Sequence, residues 1–514
     1  MLREKAQNLV ECGLVLLLLL LMALPAPAAA QTSCPSLQAL IVAAAPGSTI
    51  TVPPCIFRES VTVTKALTID GQNQAEIRGA DVWSTWNAWQ PGDGHTYYLS
   101  ANAVPYLPWV NDPYRCADRT TNCLQPEQVF IDGKPLGRNF AAGGPVSGQF
   151  ALDGSRHVIL ADNPAGHTAE VVTRSFWLRA AAPGVTVKNM TMRFAGDDWG
   201  YGAIANGDQP DFVLDHLRLS YAHGDDVRVG GSTATGVKIT NSDIAYAAEG
   251  IAAYLMPELT ITGNHIHDMN AIGYNCDWDC GAGKLANVAN LLFDRNEVDH
   301  TMTGPWCDID CTNGTISNNN VHDNSRVGIY VEVSEKVHVT GNTVTNNGEG
   351  IGSSTSAGTE IDHNTLSGNG SGIAAFSQAR SDAPRGAGTQ MYVHDNQISQ
   401  AANSIALNWY DDGSGIVCAP ASNNRGVNNT YKYPSPEGSD VRFGWCAQRF
   451  THLLDFQQTP GGQGGGYMVP VPTATPTMTP VPTRTPVPTL TRTPLPRCQV
   501  RIGLRGVNQW RRSC

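Results

Sequence analysis

A short motif whose residue types could carry acid–base or metal chemistry occurs twice in the sequence. Residues 276–280 and 307–311 both read C-D-x-D-C, and equivalent positions lie 31 residues apart. Internal repeats of this kind are typical of solenoid proteins, in which successive coils stack on one another. The repeat therefore predicts that four aspartates line one surface: Asp277, Asp279, Asp308 and Asp310.

A third copy of the surrounding sequence brings in a glutamate. Residues 328–333 (G-I-Y-V-E-V) align with residues 304–309 (G-P-W-C-D-I), which places Glu332 in register with Asp308 and Asp277. Like charges one coil apart, at about 4.8 Å, repel each other and raise at least one pKa. We therefore expect this acidic cluster to have a function.

Three interpretations of the cluster are open. The acids could form only a solvated acidic face. The four aspartates of the two motifs (Asp277, Asp279, Asp308 and Asp310) could bind Ca²⁺, which prefers hard oxygen ligands. The cluster could also hold a glycosidase carboxylate pair, in which one acid protonates the leaving oxygen and the other acts as nucleophile or base. We favour the third interpretation, which requires no cofactor.

Side chains beside the acids favour a carbohydrate substrate. Side chains alternate between the two faces of a strand, so Trp306 and Tyr330 are predicted to point outward with the acids. Flat apolar rings stack on sugars, while adjacent polar groups fix the orientation of the sugar. We expect the substrate-binding surface to contain six side chains: Trp306, Tyr330, Asp310, Asp277, Asn275 and Tyr254.

Repeats elsewhere in the chain predict the scaffold. Segments such as 237–244, 259–266 and 337–344 align with a period near 22 residues, which stretches to about 32 where loops intervene. An asparagine recurs at one position of the coil: Asn264, Asn296, Asn319, Asn342, Asn364 and Asn396. Stacked amides of this kind bond from coil to coil and satisfy the backbone of the turns. The pattern predicts an all-β fold that resembles pectate-lyase-like right-handed parallel β-helices, with PbH1-type repeats.

Changes in composition along the chain predict its organisation. A basic start, an apolar run and small residues near Ala30 are typical of a cleaved secretory signal. A tryptophan-rich stretch interrupts the repeats early and predicts a small inserted β-sandwich-like module. A Gly-rich and then Thr/Pro-rich stretch is typical of an extended linker. We divide the chain into a signal peptide (1–30), N-terminal coils (31–80), the inserted module (81–178), the main β-helix (179–460), the linker (461–496) and a basic tail (497–514).

The cysteines predict disulfides in an oxidising compartment. The chain has 13 cysteines, and without Cys12 of the signal peptide the count is even. Nearby cysteines suggest four pairs: Cys34 with Cys55, Cys116 with Cys123, Cys418 with Cys446, and Cys498 with Cys514.

The two C-D-x-D-C motifs need a separate argument. Cysteines four apart on one strand would be separated by roughly 13 Å, whereas the Cα atoms of a disulfide lie within about 7 Å. We therefore expect bridges between the repeats, Cys276 to Cys307 and Cys280 to Cys311. Four thiolates on zinc are the alternative.

The net charge and the predicted signal peptide limit the kinds of partner that we expect. A net charge of −11 argues against a nucleic-acid partner. We expect a secreted, extracellular monomer that acts on an oligo- or polysaccharide and has no membrane span in the mature chain. The linker and tail could attach it to a cell surface.

Two other groups of residues stand out less. His223-Gly224-Asp225-Asp226 has some likeness to the Asp-Asp motif of polygalacturonases, but the partner motifs of that family are missing. Four further residues are interpreted as hydrogen-bonding turn residues: His267, Asp299, His322 and Asp323.

The motifs around the acids resemble a known family. The pattern Gly304-x-Trp306-x-Asp308, followed one coil later by Gly328-Ile329-x-Val331-Glu332-Val333-Ser334, is similar to β-helix glycoside hydrolases related to family 120 β-xylosidases. Residues 126–136 and 185–191 resemble that family's landmarks around an early β-sandwich insertion. The resemblance implies a nucleophile at Asp308 and an acid/base at Glu332. The coil separation of about 4.8 Å is also close to the ~5–5.5 Å that a retaining enzyme needs.

Two alternatives to a retaining glycosidase remain open. A calcium-assisted polysaccharide lyase needs a base near the metal, and the outward columns offer only Arg228, with Lys284 and Arg326 placed in loops. A non-catalytic, cell-surface carbohydrate-binding β-helix protein is the other alternative.

Overall fold

A computed structural model of the chain describes residues 34–468, apart from 92–93, 142, 271, 278, 385, 412 and 414. The predicted signal peptide, most of the linker, the basic tail and the predicted Cys498–Cys514 bridge lie outside the described residues. Within the described part, no helix has both the length and the apolar character needed to span a bilayer.

Two long sheets of parallel strands run the length of the molecule, and each strand pairs with its equivalent in the next coil. The first, which we call the site sheet because it carries Asp308 and Glu332, pairs antiparallel at the last of its described strands. Its strands are Val61–Val63, Leu178–Ala180, Ile204–Ala205, Asp225–Gly230, Glu249–Met256, Gly281–Val288, Pro305–Asp308, Val327–Glu332, Glu349–Ser354, Ile373–Ser377, Leu407–Asp411, Phe443–Trp445 and Gln448–Phe450.

The second sheet, which we call the long sheet, contains two rows of mostly short strands, and the longer strands Val185–Ala195 and Val213–Ala222 run through both rows. Its strands are Thr49–Thr51, Ile56–Phe57, Leu67–Asp70, Glu76–Arg78, Val185–Ala195, Val213–Ala222, Lys238–Thr240, Asp243–Ala245, Leu259–Thr262, His265–His267, Leu291–Asp294, Glu297–Asp299, Thr315–Ser317, Asn320–His322, His338–Thr340, Thr343–Thr345, Glu360–Asp362, Thr365–Ser367, Tyr392–His394, Gln397–Ser399, Arg425–Val427, Thr430–Lys432 and Gly466–Tyr467. The last of these pairs with Thr430–Tyr431, so the β-helix continues into the start of the predicted linker.

The core lies between the sheets and consists of stacked apolar rows. Ile239, Ile261, Phe293 and Ile316 occupy one register position in four successive coils, and all four are fully buried. Burial of such side chains stabilises the fold by roughly 1.5–3 kcal/mol each. The chain therefore forms the predicted right-handed parallel β-helix.

Asparagines connect the coils, as predicted. Asn264 donates its side-chain amide to Oδ1 of Asn296 at 3.0 Å, and Asn296 donates to Asn319 at 3.1 Å. The row continues through Asn342, Asn364 and Asn396 to Asn429. A second row, which the sequence analysis missed, contains Asn324, Asn347 and Asn369.

Two small sheets with mostly antiparallel pairing follow the first coils. One contains Ala80–Val82, Val129–Ile131, Lys134–Pro135 and Ala169–Val172, and the other contains Trp86–Trp89, Tyr97–Ala103, Gly137–Arg138, Gln149–Leu152 and His157–Leu160. A shared core that includes Trp83, Phe150 and Val158 packs between them. The chain then rejoins the helix at Leu178, which pairs with Val61.

Helical segments are few among the described residues. Leu37–Ala43 is a short α-helix in which the Ser36 hydroxyl accepts from the N–H of Ala39. The others are the helix Leu453–Phe456 and single turns at Pro113–Arg115, Asn122–Leu124, Pro420–Ser422 and Pro460–Gly462. The predicted disulfides Cys34–Cys55, Cys116–Cys123 and Cys418–Cys446 are present.

Candidate active site

Asp308 and Glu332 lie opposite each other on adjacent strands of the site sheet. The strands Pro305–Asp308 and Val327–Glu332 pair in the register Trp306 with Tyr330, Cys307 with Val331 and Asp308 with Glu332. Cys307 and Val331 are fully buried in the core. The side chains that neighbour them along each strand, which include Asp308 and Glu332, therefore point away from the core. The predicted pairing of the two acids is therefore correct.

Glycines allow these strands to stack closely at their beginnings. A Cβ atom on Gly304 would lie 1.9 Å from the carbonyl oxygen of Gly328, and one on Gly328 would lie 2.7 Å from that of Gly350. Glycine at the start of each G-x-x-x-D/E segment thus avoids a steric clash, and it allows the coils that carry the acids to approach closely.

The column of side chains through the two acids differs from the predicted one. Strand register gives the following order along the helix: Tyr254, Ala286, Asp308, Glu332, Ser354, Phe376 and Tyr410. Ala286, not Asp277, precedes Asp308.

The alignment of the two C-D-x-D-C motifs was wrong because their coils are not equivalent. Leu285 is the register partner of Cys307, and the strand Gly281–Val288 begins only after the first motif has ended. The first motif lies in a turn before that strand. Equivalent residues of the two motifs thus occupy different positions in the coil.

The predicted disulfides between the motifs were also wrong. Cys276 bonds to Cys280, and Cys307 bonds to Cys311. The prediction assumed one continuous strand, but the strand ends at Asp308, and Ile309 and Asp310 adopt φ angles of 47° and 57°. This turn brings the Cα atoms of Cys307 and Cys311 to 5.7 Å, within the range of a disulfide.

Two cations that the sequence analysis did not place at the site contact the acids. Lys284 lies on the strand Gly281–Val288, one coil before Trp306, and its Nζ is 3.1 Å from Oδ2 of Asp308. Arg380, from the segment after Ile373–Ser377, forms ion pairs with Glu332 and Asp382. A coil length of 22 residues, counted back from Trp306, could have found Lys284. The position of Arg380 at the site depends on a loop that folds back over the sheet, and the coil length does not predict it.

Burial raises the pKa of both catalytic candidates. Asp308 is 3% exposed and Glu332 is 8% exposed. Burial raises the pKa of Asp308, and the ammonium of Lys284 opposes that rise. Burial and then the charge of Asp308 raise the pKa of Glu332, against the opposing effects of Arg380 and Lys284. The two acids therefore differ in the element that carries their nearest cation. The cation in contact with Asp308 is on a strand, whereas the cation beside Glu332 is on a loop.

The aromatic residues form a packed group beside the acids. The rings of Trp306 and Tyr330 lie 5.6 Å apart between centroids, and Lys284 Nζ lies 4.4 Å from the Trp306 ring. Trp306 is only 5% exposed, whereas Tyr254, two coils before Asp308 in the same column, is 47% exposed. Phe376 and Tyr410 stack at 4.5 Å beyond Ser354. Aromatic rings thus lie on both sides of the acids along the helix axis.

The other predicted site residues do not converge on the pair. Asp277 is exposed and lies 3.3 Å from Nη1 of Arg326. Asn275 is buried and donates to the carbonyl of Tyr114, so it anchors the turn to the Cys116–Cys123 loop. Asp310 lies in the exposed turn after the strand.

The four aspartates predicted as calcium ligands are dispersed. Asp277 and Asp310 are exposed, while buried Asp279 accepts a hydrogen bond from the indole of Trp199. Asp308 is paired with Lys284. The arrangement arises because the first motif is displaced from the coil register.

A second carboxylate group lies in earlier coils of the site sheet. Asp225 pairs in register with Glu249, and Glu249 accepts from the backbone N–H of Lys284. Burial raises the pKa of both carboxyls, and nearby Asp279 raises that of Glu249 further. His223 of the same H-G-D-D segment is buried, which lowers its pKa to about 4. Of these groups, Glu249 supports the strand that carries Lys284.

Comparisons with known proteins agree with the fold. A family model described as "right handed beta helix region" matches residues 201–366. The chain is a right-handed β-helix protein. A search of curated proteins finds no match.

Solved structures match this chain at low sequence identity. A structure described as XylC in complex with xylose matches with a TM-score of 0.55 and 13% identity, over 80% of this chain and 82% of that one. The A-module of the mannuronan C-5 epimerase AlgE6 from Azotobacter vinelandii matches with a TM-score of 0.38 and 12% identity, over 84% and 92% of the two chains.

Proposed function

We propose that the protein is a secreted, retaining glycoside hydrolase that acts on neutral sugars. The observation that carries the proposal is the register pairing of Asp308 with Glu332 beside Trp306 and Tyr330. Adjacent strands place the two backbones about 4.8 Å apart, which is compatible with the ~5–5.5 Å between carboxyls in retaining enzymes.

The surroundings assign different roles to the two acids. Lys284 favours the ionised form of Asp308, which suits a nucleophile that attacks the anomeric carbon. Burial and the neighbouring negative charge favour the protonated form of Glu332, which suits the acid that protonates the leaving oxygen. Glu332 then takes a proton from the water that releases the sugar from Asp308.

Arg380 must move for this mechanism to operate. Its ion pair with Glu332 favours the carboxylate form, so the paired state is the resting state of the site. Displacement of Arg380 by an incoming sugar removes the opposing cation and raises the pKa of Glu332 further. Sugar binding would thus activate the general acid.

A polyuronate lyase is the second candidate, and Lys284 and Arg380 favour it, whereas the aspartates expected to bind calcium in a calcium-assisted enzyme are dispersed. Lys284 and Arg380 both lie at the acids, where guanidinium or ammonium groups could bind a sugar carboxylate. The sequence argument against a lyase, which placed Lys284 in a loop, therefore loses its basis.

A product assay separates these functions. We expect purified protein to hydrolyse nitrophenyl glycosides, with xylosides tested first, and proton NMR to show a first product of retained anomeric configuration. Asp308→Asn should abolish turnover, whereas Glu332→Gln should slow mainly substrates with poor leaving groups. Asp277→Asn, at an exposed acid outside the pair, is the matched control.

Each other result assigns a different function. An inverted product contradicts the Asp308–Glu332 pair as nucleophile and acid. An unsaturated product from polyuronates supports the lyase. Binding of oligosaccharides without turnover supports a carbohydrate-binding protein.

A further inference from the structure

The solvent-facing side of the long sheet carries the same constellation of six side chains twice. In sequence, E-V-D-H at 297–300 corresponds to E-I-D-H at 360–363. The first constellation is His265, Glu297, Asp299, His300, His322 and Asp323. The second is His338, Glu360, Asp362, His363, His394 and Asp395.

Strand register makes the two constellations equivalent. His265 pairs with Glu297, and Asp299 pairs with His322. The second constellation repeats this: His338 pairs with Glu360, and Asp362 pairs with His394. The central aspartates, Asp299 and Asp362, are both 7% exposed. Each constellation therefore spans three successive coils around one buried carboxylate.

The histidines of the first constellation converge on Asp299. Nε2 of His265 lies 2.7 Å from Oδ2 of Asp299, and Nε2 of His322 lies 3.9 Å from the same oxygen. Nε2 of His322 is also 3.4 Å from Oε1 of Glu297.

The second constellation has similar distances around Asp362, although its two histidines approach different oxygens of that carboxylate. Nε2 of His338 lies 2.9 Å from Oδ1 of Asp362, and Nε2 of His394 lies 3.8 Å from Oδ2. Nε2 of His394 is also 3.0 Å from Oε1 of Glu360.

These spacings match those between ligands of one metal ion. Ligands of a tetrahedral zinc ion lie roughly 3.3–3.4 Å apart, given Zn–N and Zn–O distances of about 2.0–2.1 Å. In each constellation the ligand atoms of the first histidine, the glutamate and the central aspartate all lie within 4.8 Å of one another.

The second ring nitrogen of the flanking histidines supplies a further observation. Nδ1 of His322 lies 2.8 Å from Oδ2 of Asp323, and Nδ1 of His394 lies 2.7 Å from Oδ2 of Asp395. Metal-binding histidines commonly donate this N–H to a carboxylate, which fixes the ring and leaves Nε2 for the metal.

We propose that each constellation binds one divalent transition-metal ion of the zinc type. The ligands are the carboxylates of the glutamate and the central aspartate together with two Nε2 atoms. These belong to His265 and His322 in the first constellation, and to His338 and His394 in the second. Imidazole nitrogens with carboxylates suit zinc, copper or nickel, whereas calcium prefers oxygen ligands alone. The bound ions would link three coils each, on a different sheet from the acids Asp308 and Glu332.

Zinc titration of the untagged, secreted protein tests this proposal. After chelation and dialysis, isothermal titration calorimetry with Zn²⁺ should give two equivalents. His322→Ala should lose one equivalent and His394→Ala should lose the other, while the double variant should bind neither. His216→Ala is the matched control, because His216 pairs with Asp215 at 2.9 Å and no second histidine among the described residues pairs with that acid. This variant should retain two equivalents.

The single variants also control for folding, since each must keep the site that it does not alter. Co²⁺ should give visible absorption bands that diminish by half in each single variant. Zn²⁺ should raise the melting temperature of the wild type but not that of the double variant. No zinc binding by the wild type, or an unchanged stoichiometry in both single variants, would overturn the proposal. Loss in only one of them would overturn the equivalence of the sites.

Discussion

The ammonium group of Lys284 lies 3.1 Å from Oδ2 of Asp308, with its carbon stem on the neighbouring coil. The same ammonium lies over the ring of Trp306. Lys284 therefore contacts both the proposed nucleophile and the aromatic residue beside it. The protonation state of Asp308 therefore depends on a residue that does not itself need to touch the substrate.

Lys284→Met should shift the acid limb of the pH–rate profile to higher pH. Burial already raises the pKa of Asp308 and Lys284 opposes that rise, so removal of the ammonium raises this pKa further. Asp308 must be ionised to attack, and kcat/KM should therefore fall most at acidic pH. Lys238→Met, at an exposed lysine of the long sheet, is the control. An unshifted acid limb would show that the limb belongs to another group.

Trp306→Ala should mainly lower stability, whereas Tyr254→Ala should mainly weaken substrate binding. Trp306 is almost fully buried, so its truncation leaves a cavity and should destabilise the protein by about 3–5 kcal/mol. Tyr254 is half exposed, so its loss should leave the melting temperature nearly unchanged. If sugars reach along the column, KM should rise in Tyr254→Ala, by roughly tenfold for about 1.4 kcal/mol of stacking. A normal KM on long and short substrates would exclude Tyr254 from the binding surface.

Peptide mapping without reduction should find Cys276 linked to Cys280, and Cys307 linked to Cys311. Because each bridge closes a very short loop, the chain-entropy model gives each a contribution of roughly 2 kcal/mol. The paired variant Cys307→Ser/Cys311→Ser should therefore fold but melt at a lower temperature. Cross-links between the two motifs would instead restore the register expected from the sequence.

Asn319→Ala should destabilise the helix much more than Asn320→Ala. The buried amide of Asn319 donates to the carbonyl of Phe293 and to Asn342, and its Oδ1 accepts from the backbone N–H of Asn296. Its loss leaves buried groups without partners, which costs about 2–4 kcal/mol in all. Asn320 is exposed on the adjacent position. Denaturant midpoints of the two variants should therefore differ clearly, and equal midpoints would contradict a stabilising role for the asparagine row.

The sequence predicts what repeats with the coil and fails where the chain departs from it. Asn264 through Asn396 recur at one position, so the fold and the pairing of Asp308 with Glu332 follow from local alignment. Asp277 was misplaced because an identical five-residue motif outweighed the coil length. Arg380 could not be placed, because the path of the loop that carries it depends on packing and has no periodic signal.

The direction of the asparagine hydrogen bonds bears on how the chain assembles. The backbone N–H of Asn264 donates to the side chain of Asn296, and that of Asn296 donates to Asn319, so each turn is completed by the coil that follows it. A chain that emerges from a membrane pore with its N-terminus first would present each turn unfinished until the next coil arrives. Chains truncated within the repeats would therefore end in a polar, unsatisfied edge that can recruit a strand from another molecule.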